Sequence, residues 1–223
     1  MSMMIRKIVT ILALAVVIGG CAPPPYWTLT DDLNQVVTSH SFKMIVPEGW
    51  NRSTTADTYD YVTIDGKDVP VLLERMVASR DGFGINAISV TRRYPDTAFP
   101  AIKKKSTANM LPNEAADLYV SDLRKRSGLE RLKVLSNKPA RVAGKPGFEV
   151  AMQFKNDDGL RIRIVSHGFV DKTGLYTINY RAPYLYYYKR DYGAYIKVVH
   201  SFKEMKGAFD PPPQMPAWAK LFT

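Results

Sequence analysis

The chain has 223 residues, of which 46% are hydrophobic, and a formal net charge of +10 at pH 7. Its length suits one domain of ordinary size with a hydrophobic core. Its only cysteine is Cys21, so a domain that follows this residue has neither disulfides nor thiolate metal ligands.

Residues 1–20 have the pattern of an export signal. Arg6 and Lys7 form a short positive region, Ile8–Ile18 is apolar, and two glycines precede Cys21. As a helix the apolar stretch would be about 16 Å long, whereas the hydrocarbon core of a bilayer is about 30 Å thick. The sequence therefore predicts a signal peptide rather than a transmembrane helix.

The tetrapeptide "IGGC", which ends at Cys21, resembles the lipobox of bacterial lipoproteins. The resemblance implies cleavage between Gly20 and Cys21, a diacylglyceryl group on the sulfur and an acylated new amine, which together give stable anchoring. Ala22 follows instead of Asp, which implies the outer membrane, facing the periplasm, or the cell membrane in a host without an outer membrane. The alternative is an ordinary secreted protein with a cysteine near its cleavage site.

Cleavage would leave 203 residues and remove Arg6 and Lys7, which lowers the net charge to +8. Outside the cytoplasm the available anions are lipid headgroups, lipopolysaccharide phosphates and cell-wall polymers, so nucleic acid is not an expected partner. We expect contact with the membrane through the lipid, and an envelope protein or an anionic envelope polymer as partner. The alternative is that the charge only keeps the domain soluble, because basic residues are spread along the chain.

The mature chain divides into three predicted parts. Residues 21–38 are expected to be a tether, 39–209 an α/β domain, and 210–223 a Pro-rich tail that cannot continue a helix or a central strand. We expect Trp218 and Phe222 of the tail to dock on the domain.

The domain begins with predicted strands that form a meander with Asp-Gly turns. These strands are Ser41–Val46, Tyr59–Ile64, Val69–Ala78 and Gly84–Arg93. The clearest helix is predicted at Leu111–Gly128, with Asn113 as its N-cap and Gly128 as its stop. Its buried stripe is expected to contain Ala116, Tyr119, Val120 and Leu123.

Four further strands follow, and the parity of their apolar residues predicts their register. The strands are Leu132–Val142, Gly147–Lys155, Gly159–Val170 and Leu175–Ala182. Pairing of apolar with apolar residues favours three-residue loops, which pair Phe154 with Leu160, Val170 with Tyr176 and Gly168 with Ile178. One sheet face is then apolar, and the other carries Glu149, Gln153, Arg161, Arg163, His167, Asn179 and Arg181.

The last helix is predicted to begin near Pro183. Its buried stripe is expected to contain Leu185, Tyr188, Tyr192, Ile196, Val199 and Phe202. Tyr186, Tyr187 and Tyr195 would lie off this stripe beside Lys189 and Arg190, as in a surface where rings stack on sugars or peptides and cations meet anions. The alternative is that these rings cover the sheet edge or hold the tail.

Several segments in this order resemble the PsbP-like superfamily: "VPEGW", "LPNEAADLYVSDLR", "NKPARVAGKPGFEVAMQF" and "LYTINYRAPYLYYYKRDYGAYIKVVHSFK". The resemblance covers about residues 40–205 and implies an α+β fold, an α/β/α sandwich around a central antiparallel sheet. It also implies a non-catalytic accessory protein. If both sheet faces are covered, Arg161 and Arg163 are partly buried and are expected to pair with acidic groups.

The chemistry-bearing residues predict binding rather than catalysis. His40, His167 and His200 are too far apart in sequence for a metal-ligand motif, and the sequence has no nucleophile turn and no phosphate-binding or dinucleotide-binding loop. No metal and no cofactor is therefore predicted. The candidate anion-binding or partner-binding residues are Arg161, Arg163, His167, Arg181, Tyr186, Tyr187, Lys189 and Arg190.

His167 is placed by the predicted register opposite Asn179 and near Arg181, which suits an anion site, although a structural histidine is the alternative. The function predicted from the sequence is a non-enzymatic accessory or binding module of the cell envelope. The alternative is a small envelope hydrolase or lipid-handling enzyme, which requires a concave site that unites His167 or His200 with a carboxylate and a hydroxyl.

Overall fold

A computed structural model of the chain describes residues 27–29, 35–38, 42–53, 71–78, 85–126, 129 and 131–205. Within them the chain forms eleven strands, β1 (Trp27–Leu29), β2 (Gln35–Thr38), β3 (Phe42–Val46), β4 (Asn51–Ser53), β5 (Val71–Val77), β6 (Ala87–Arg93), β7 (Lys133–Val142), β8 (Lys145–Lys155), β9 (Arg161–Asp171), β10 (Gly174–Pro183) and β11 (Lys203–Glu204), and two helices, α1 (Pro112–Arg124) and α2 (Tyr187–Ser201). The predicted signal peptide, Cys21, His40, the strand at 59–64, Gly128 and the tail lie outside the described residues.

The main sheet has eight antiparallel strands in the order β1-β4-β5-β6-β10-β9-β8-β7, and a smaller sheet has the order β11-β3-β2. Helix α1 packs on one face of the main sheet, against apolar residues of β8 and β9. Helix α2 and the small sheet share the core on the other face. The predicted α+β fold, with helices about a central antiparallel sheet, is confirmed, and the small sheet is an addition to the α2 layer.

The predicted tether contributes to both sheets. Trp27–Leu29 pairs with β4, with Thr28 opposite Arg52. Gln35–Thr38 pairs with β3, with Val36 opposite Ile45. Residues 21–38 are therefore not tether throughout, because backbone pairing places these two segments within the folded domain.

Helix α1 begins earlier than its predicted cap. Pro112 occupies the first helical position, where its missing N–H costs nothing and its fixed φ suits the helix. The carboxylate of Glu114 accepts a hydrogen bond from the backbone N–H of Leu111 at 2.9 Å. The prediction of Asn113 as N-cap is wrong, since Asn113 lies exposed inside the first turn. The predicted stripe is buried at Ala116, Val120 and Leu123, whereas Tyr119 is half-buried.

The β8–β9 loop is longer than predicted but keeps the predicted face. Phe154 lies opposite Ile162 instead of Leu160, which makes the loop five residues long. The side chain of Asn156 closes it, because its Oδ1 accepts from the N–H of Leu160 at 2.7 Å. A register error of two residues leaves every side chain on its predicted side of the sheet.

The β9–β10 turn is shorter than predicted by one residue, which reverses the face of β10. The carboxylate of Asp171 accepts from the backbone N–H and the hydroxyl of Thr173, both at 2.7 Å, and closes a two-residue turn. Val170 consequently lies opposite Leu175, Gly168 opposite Thr177 and His167 opposite Ile178. The predicted pairs of Val170 with Tyr176, of Gly168 with Ile178 and of His167 with Asn179 are wrong.

Helix α2 begins at Tyr187, since Pro183 still pairs with Ile162 at the end of β10. Its buried face differs from the predicted one: Tyr195 is fully buried, and Leu185 lies in the turn before the helix and is 80% exposed. The prediction that Tyr195 lies off the buried stripe is therefore wrong.

Among the strands that the structure describes, β7 forms one edge of the main sheet and β1 forms the other. The side chains of β7 are mostly exposed, and its exposed residues include Lys133, Lys138, Pro139 and Arg141. This strand packs against β8, whose apolar residues lie under α1.

Candidate functional site

Six of the candidate residues lie around the turn that joins β10 to α2. The structure adds Tyr184 and Leu185 to them, and we name the whole set the Tyr–Arg surface: Arg161, Arg163, Tyr184, Leu185, Tyr186, Tyr187, Lys189 and Arg190. Two strand positions, the turn and the first turn of α2 bring these residues together.

Guanidinium groups lie over tyrosine rings on both sides of this turn. The Arg163 guanidinium is 4.3 Å from the ring centre of Tyr184, and that of Arg161 is 5.5 Å from the same ring. On the helix side, the Arg190 guanidinium is 4.9 Å from the ring centre of Tyr187 and 5.3 Å from that of Tyr186. Such distances are typical of cation–π contacts.

Backbone and carboxylate hydrogen bonds fix the position of the Tyr–Arg surface. The N–H of Tyr184 donates to the carbonyl oxygen of Arg161 at 2.9 Å. Arg190 donates through two nitrogens to the buried carboxylate of Asp191, each at 2.7 Å, and these hydrogen bonds raise the pKa of Arg190. Asp191 also accepts a hydrogen bond from Asn86, so the first turn of α2 is tied to the residue before β6.

Exposed apolar and aromatic surface lies next to these charges. Tyr186 is 63% exposed, and Lys189 is exposed beside it. Large exposed rings next to arginine are enriched where proteins bind their partners. The Tyr–Arg surface can therefore offer stacking and ionic contacts from one rigid turn.

The expected acidic partners of Arg161 and Arg163 are replaced by other groups. Arg163 is half-buried and donates to the amide oxygen of Gln153 at 3.2 Å, in addition to its contact with Tyr184. Arg161 is exposed. The exposed Arg161 keeps access to water, whereas Nε of Arg163 is buried and has no hydrogen-bond partner among the described residues.

His167 lies apart from this surface, in the core beneath α2. Its Nδ1 is 2.7 Å from the hydroxyl oxygen of Tyr195, and that hydroxyl is 3.0 Å from the carbonyl oxygen of Ile178. Its Nε2 is 3.2 Å from a carboxylate oxygen of Glu149, which also pairs with Lys138 at 3.1 Å. His167 is 6% exposed and Tyr195 is fully buried.

This cluster unites a histidine, a carboxylate and a hydroxyl, as the hydrolase alternative requires, but it does so in the core. Burial lowers the pKa of His167, Lys138 and His200 act in the same direction, and Glu149 opposes them. Burial likewise raises the pKa of Tyr195 well above its ordinary value. Both nitrogens of the imidazole have partners, and neither His167, Glu149 nor Tyr195 lines the cavity found beside α1.

Arg181 also lies apart, on the opposite face of the sheet. It lines that cavity beside α1, and its guanidinium is 5.5 Å from the ring centre of Phe154. Arg181 lies on this face because the β9–β10 turn has two residues instead of the predicted three. The resulting one-residue shift in register moves Arg181 to the face opposite His167.

Tyr184 and Leu185 belong to the Tyr–Arg surface but are not among the residues predicted from the sequence. The sequence predicts that the helix begins near Pro183, but Pro183 ends β10, so that the next residues form an exposed turn. Among the described residues, no group of three metal-ligating side chains is found. Neither described helix is long and apolar enough to cross a membrane.

No family model matches the sequence, and no curated protein matches it. Among solved structures, the solution structure of cyanobacterial PsbP from Synechocystis sp. PCC 6803 is similar, with a TM-score of 0.49 and 12% identity over 84% of this chain and 96% of that chain. A crystal structure from Bacteroides thetaiotaomicron has a TM-score of 0.38 and 11% identity over 74% of this chain and 45% of that chain.

A third similar structure is that of LpqN, a protein involved in cell envelope biogenesis of Mycobacterium tuberculosis. It has a TM-score of 0.36 and 9% identity over 80% of this chain and 90% of that chain. At these identities the similarity concerns the fold alone.

Proposed function

We propose that this chain is a non-enzymatic binding module of the bacterial cell envelope, and that its Tyr–Arg surface binds an anionic, sugar-containing envelope polymer. The observation that carries the proposal is the alternation of guanidinium groups and tyrosine rings on a rigid, exposed turn. A sugar ring stacks on an exposed tyrosine, and a guanidinium binds a phosphate or carboxylate through two parallel hydrogen bonds.

The proposal includes a lipid anchor on Cys21, which the lipobox-like "IGGC" supports. A lipid-anchored chain would lie in the periplasm on the outer membrane, close to polymers that carry phosphate groups. Mass spectrometry of the native polypeptide tests this part. We expect a mature chain that begins at an acylated Cys21, and an unprocessed chain that begins at Met1 with a free thiol would contradict it.

The hydrolase alternative gains no support from the Glu149–His167–Tyr195 cluster. A general base must reach a substrate proton within hydrogen-bond distance. The imidazole is buried and bonded on both sides. The cluster is better explained as a satisfied polar group of the core, where a buried polar atom without a partner would cost free energy.

Retention on immobilised lipopolysaccharide or heparin tests the polymer proposal. We expect retention that weakens as salt rises, because the contacts are partly ionic. Replacement of Arg161, Arg163, Lys189 and Arg190 by Gln should raise the dissociation constant about tenfold or more, a loss of about 1.4 kcal/mol or more.

A matched control removes the same charge elsewhere, by replacing the exposed Lys103, Lys104, Lys105 and Arg131 by Gln. We expect this control to retain most of the affinity. Equal losses in the two variants would show that net charge alone governs retention and would contradict the proposal. A Tyr186→Ala variant keeps every charge but removes the ring that is proposed to stack on sugar. It should therefore also lose affinity.

A further inference from the structure

A cavity of about 170 Å³ lies on the face of the main sheet that faces α1. Strands β6 and β10 provide its polar floor, where Thr91 lies opposite Thr177 and Ser89 lies opposite Asn179. Tyr119 and Leu123 of α1 border it on one side. It is separated from the Tyr–Arg surface by the thickness of the sheet, so its properties do not depend on the function proposed for that surface.

Four arginines line this cavity: Arg75, Arg93, Arg126 and Arg181. No residue that the structure describes in its lining carries a carboxylate, and Arg126 is paired with Asp122, which accepts its hydrogen bond at 2.9 Å. Arg93 is held in place by the carbonyl oxygen of Ala98 at 2.8 Å. Guanidinium groups that line a cavity attract anions.

The polar floor is pre-organised by a chain of hydrogen bonds. The hydroxyl of Tyr119 donates to Oδ1 of Asn179 at 2.9 Å, and Nδ2 of Asn179 donates to the hydroxyl oxygen of Thr177 at 3.1 Å. The hydroxyl oxygens of Thr177 and Thr91 are 2.6 Å apart. When Thr177 donates to Thr91, the proton of Thr91 remains to donate to an acceptor in the cavity.

Part of the lining is apolar and restricts the ligand further. The apolar contributors are Phe99, Leu123, Ile164 and Leu175. Burial of hydrocarbon against these side chains would add to the ionic attraction. The cavity is smaller than the roughly 300–1,000 Å³ of pockets that hold drug-sized ligands, so the occupant must be small.

We propose that this cavity binds a small amphiphilic anion, whose carboxylate or phosphate group meets Arg181 and the hydroxyls of the floor while its short apolar body packs against Phe99, Leu123 and Leu175. Neither the sequence pattern nor the predicted register indicated such a site. A planar guanidinium and an oxyanion form paired hydrogen bonds, which gives the site its selectivity for charge over hydrophobicity.

The test is an NMR titration of the ¹⁵N-labelled full-length chain in a neutral detergent. The probes are hexanoate, phenyl phosphate and, as the neutral counterpart, hexanol. We expect at least one of the two anions to shift the backbone amide signals of Ser89, Thr91, Thr177 and Asn179, with an affinity that falls as salt rises. Binding of only one anion would identify the charged group and support the proposal.

Two variants and one control locate the ligand. Arg181→Gln removes an exposed cation and should weaken binding about fivefold or more, and Ser89→Leu fills the cavity and should abolish it. Lys197→Gln removes one exposed charge on α2, which packs on the opposite face of the sheet, and should leave the dissociation constant unchanged. Unchanged signals elsewhere in the spectrum confirm that each variant is folded.

Three results would overturn the proposal. One is the lack of any shift of the four floor amides with both anions. Another is an equal dissociation constant for hexanol and hexanoate, which would mean that charge plays no part. The third is an affinity that neither Arg181→Gln nor Ser89→Leu changes.

Discussion

At the scale of single residues, the surroundings of His167 have the clearest consequence. Glu149 of β8 and Lys138 of β7 contribute charges near it, and Tyr195 and His200 of α2 contribute titratable groups. Burial is the largest influence on its pKa and lowers it below the ordinary value of 6.5, because an imidazolium loses its hydration in the core. The folded state therefore binds a proton at His167 less readily than the unfolded state does.

The sign of the pH dependence follows from this pKa. Below about pH 6.5 the unfolded chain binds more protons than the folded chain, so we expect the free energy of unfolding to decrease as pH falls from 7.5 to 5.5, by at most about 1.4 kcal/mol per pH unit. Urea unfolding of the His167→Gln variant should show a smaller change over this range. The control is a His200→Gln variant, because His200 is exposed. Equal changes of the free energy of unfolding with pH in wild type and His167→Gln would contradict the prediction.

At the scale of elements, the β8–β9 hairpin depends on a close approach between Phe148 and Gly168. These residues lie opposite each other, and a Cβ added to Gly168 would lie 2.4 Å from the end of the Phe148 ring and 2.9 Å from the carbonyl oxygen of Tyr176. The ring could shift, but the backbone of β10 would also have to move.

We expect Gly168→Ala to lower the free energy of unfolding by about 1–3 kcal/mol, as overpacking in a core usually does. Gly193→Ala is the matched control, since a Cβ at this exposed helical position meets nothing within 4 Å. That variant should be more stable than wild type by up to about 1 kcal/mol, because alanine favours the helix. Chemical denaturation measures the stability of both variants. A Gly168→Ala variant that is as stable as wild type or as Gly193→Ala would contradict the prediction for Gly168.

Elements could be predicted from the sequence wherever periodicity and turn residues agreed. The strands β7 to β10 and helix α1 lie within a few residues of their predicted bounds, because alternating apolar residues and a helical stripe reflect burial directly. The apolar pairs of β8 with β9 also keep their face. The rule that apolar residues pair with apolar residues predicted the wrong register at β10. There Thr177, Asn179 and Arg181 face the cavity beside α1 instead of water.

The candidate site could be predicted only where residues are close in sequence. Tyr186, Tyr187, Lys189 and Arg190 lie together in the structure because they are close in sequence. His167 and Arg181 were assigned to one site because the predicted register set them on one face, and a one-residue difference in a turn separates them. Arg75 and Arg93 lie on the neighbouring strands β5 and β6, far in sequence from Arg126 and Arg181, and the sequence contained no signal that joins these two pairs.

At the scale of the whole molecule, the small sheet and the main sheet share one core. Phe202 stacks on Phe42 of β3 at a ring-centre distance of 5.4 Å and lies 6.3 Å from Phe169 of the main sheet. The hydroxyl oxygen of Ser201 accepts from the N–H of Ile45 at 2.9 Å. Lys145 joins Asp171 and Glu204, so that β11 is tied to the main sheet by charge as well as by packing.

Because Phe202 contacts both sheets, we expect Phe202→Leu to lower the free energy of unfolding by about 1–2 kcal/mol without separating the sheets. Urea unfolding followed by far-ultraviolet circular dichroism and by tryptophan fluorescence should give coincident single transitions for wild type and variant. Two separate transitions in the variant would contradict the prediction of one cooperative unit.

The outer strand β7 determines how this protein behaves among many copies of itself. An unpaired strand offers its backbone groups to any neighbour, and such growth by addition leads to amyloid. A second copy that approached β7 would bring Lys133, Lys138 and Arg141 against like charges, and Pro139 has no N–H to donate. The opposite border, β1, is only three residues long. Among the residues that the structure describes, neither border is a good template for fibrils, so strand-by-strand addition of further copies is disfavoured there.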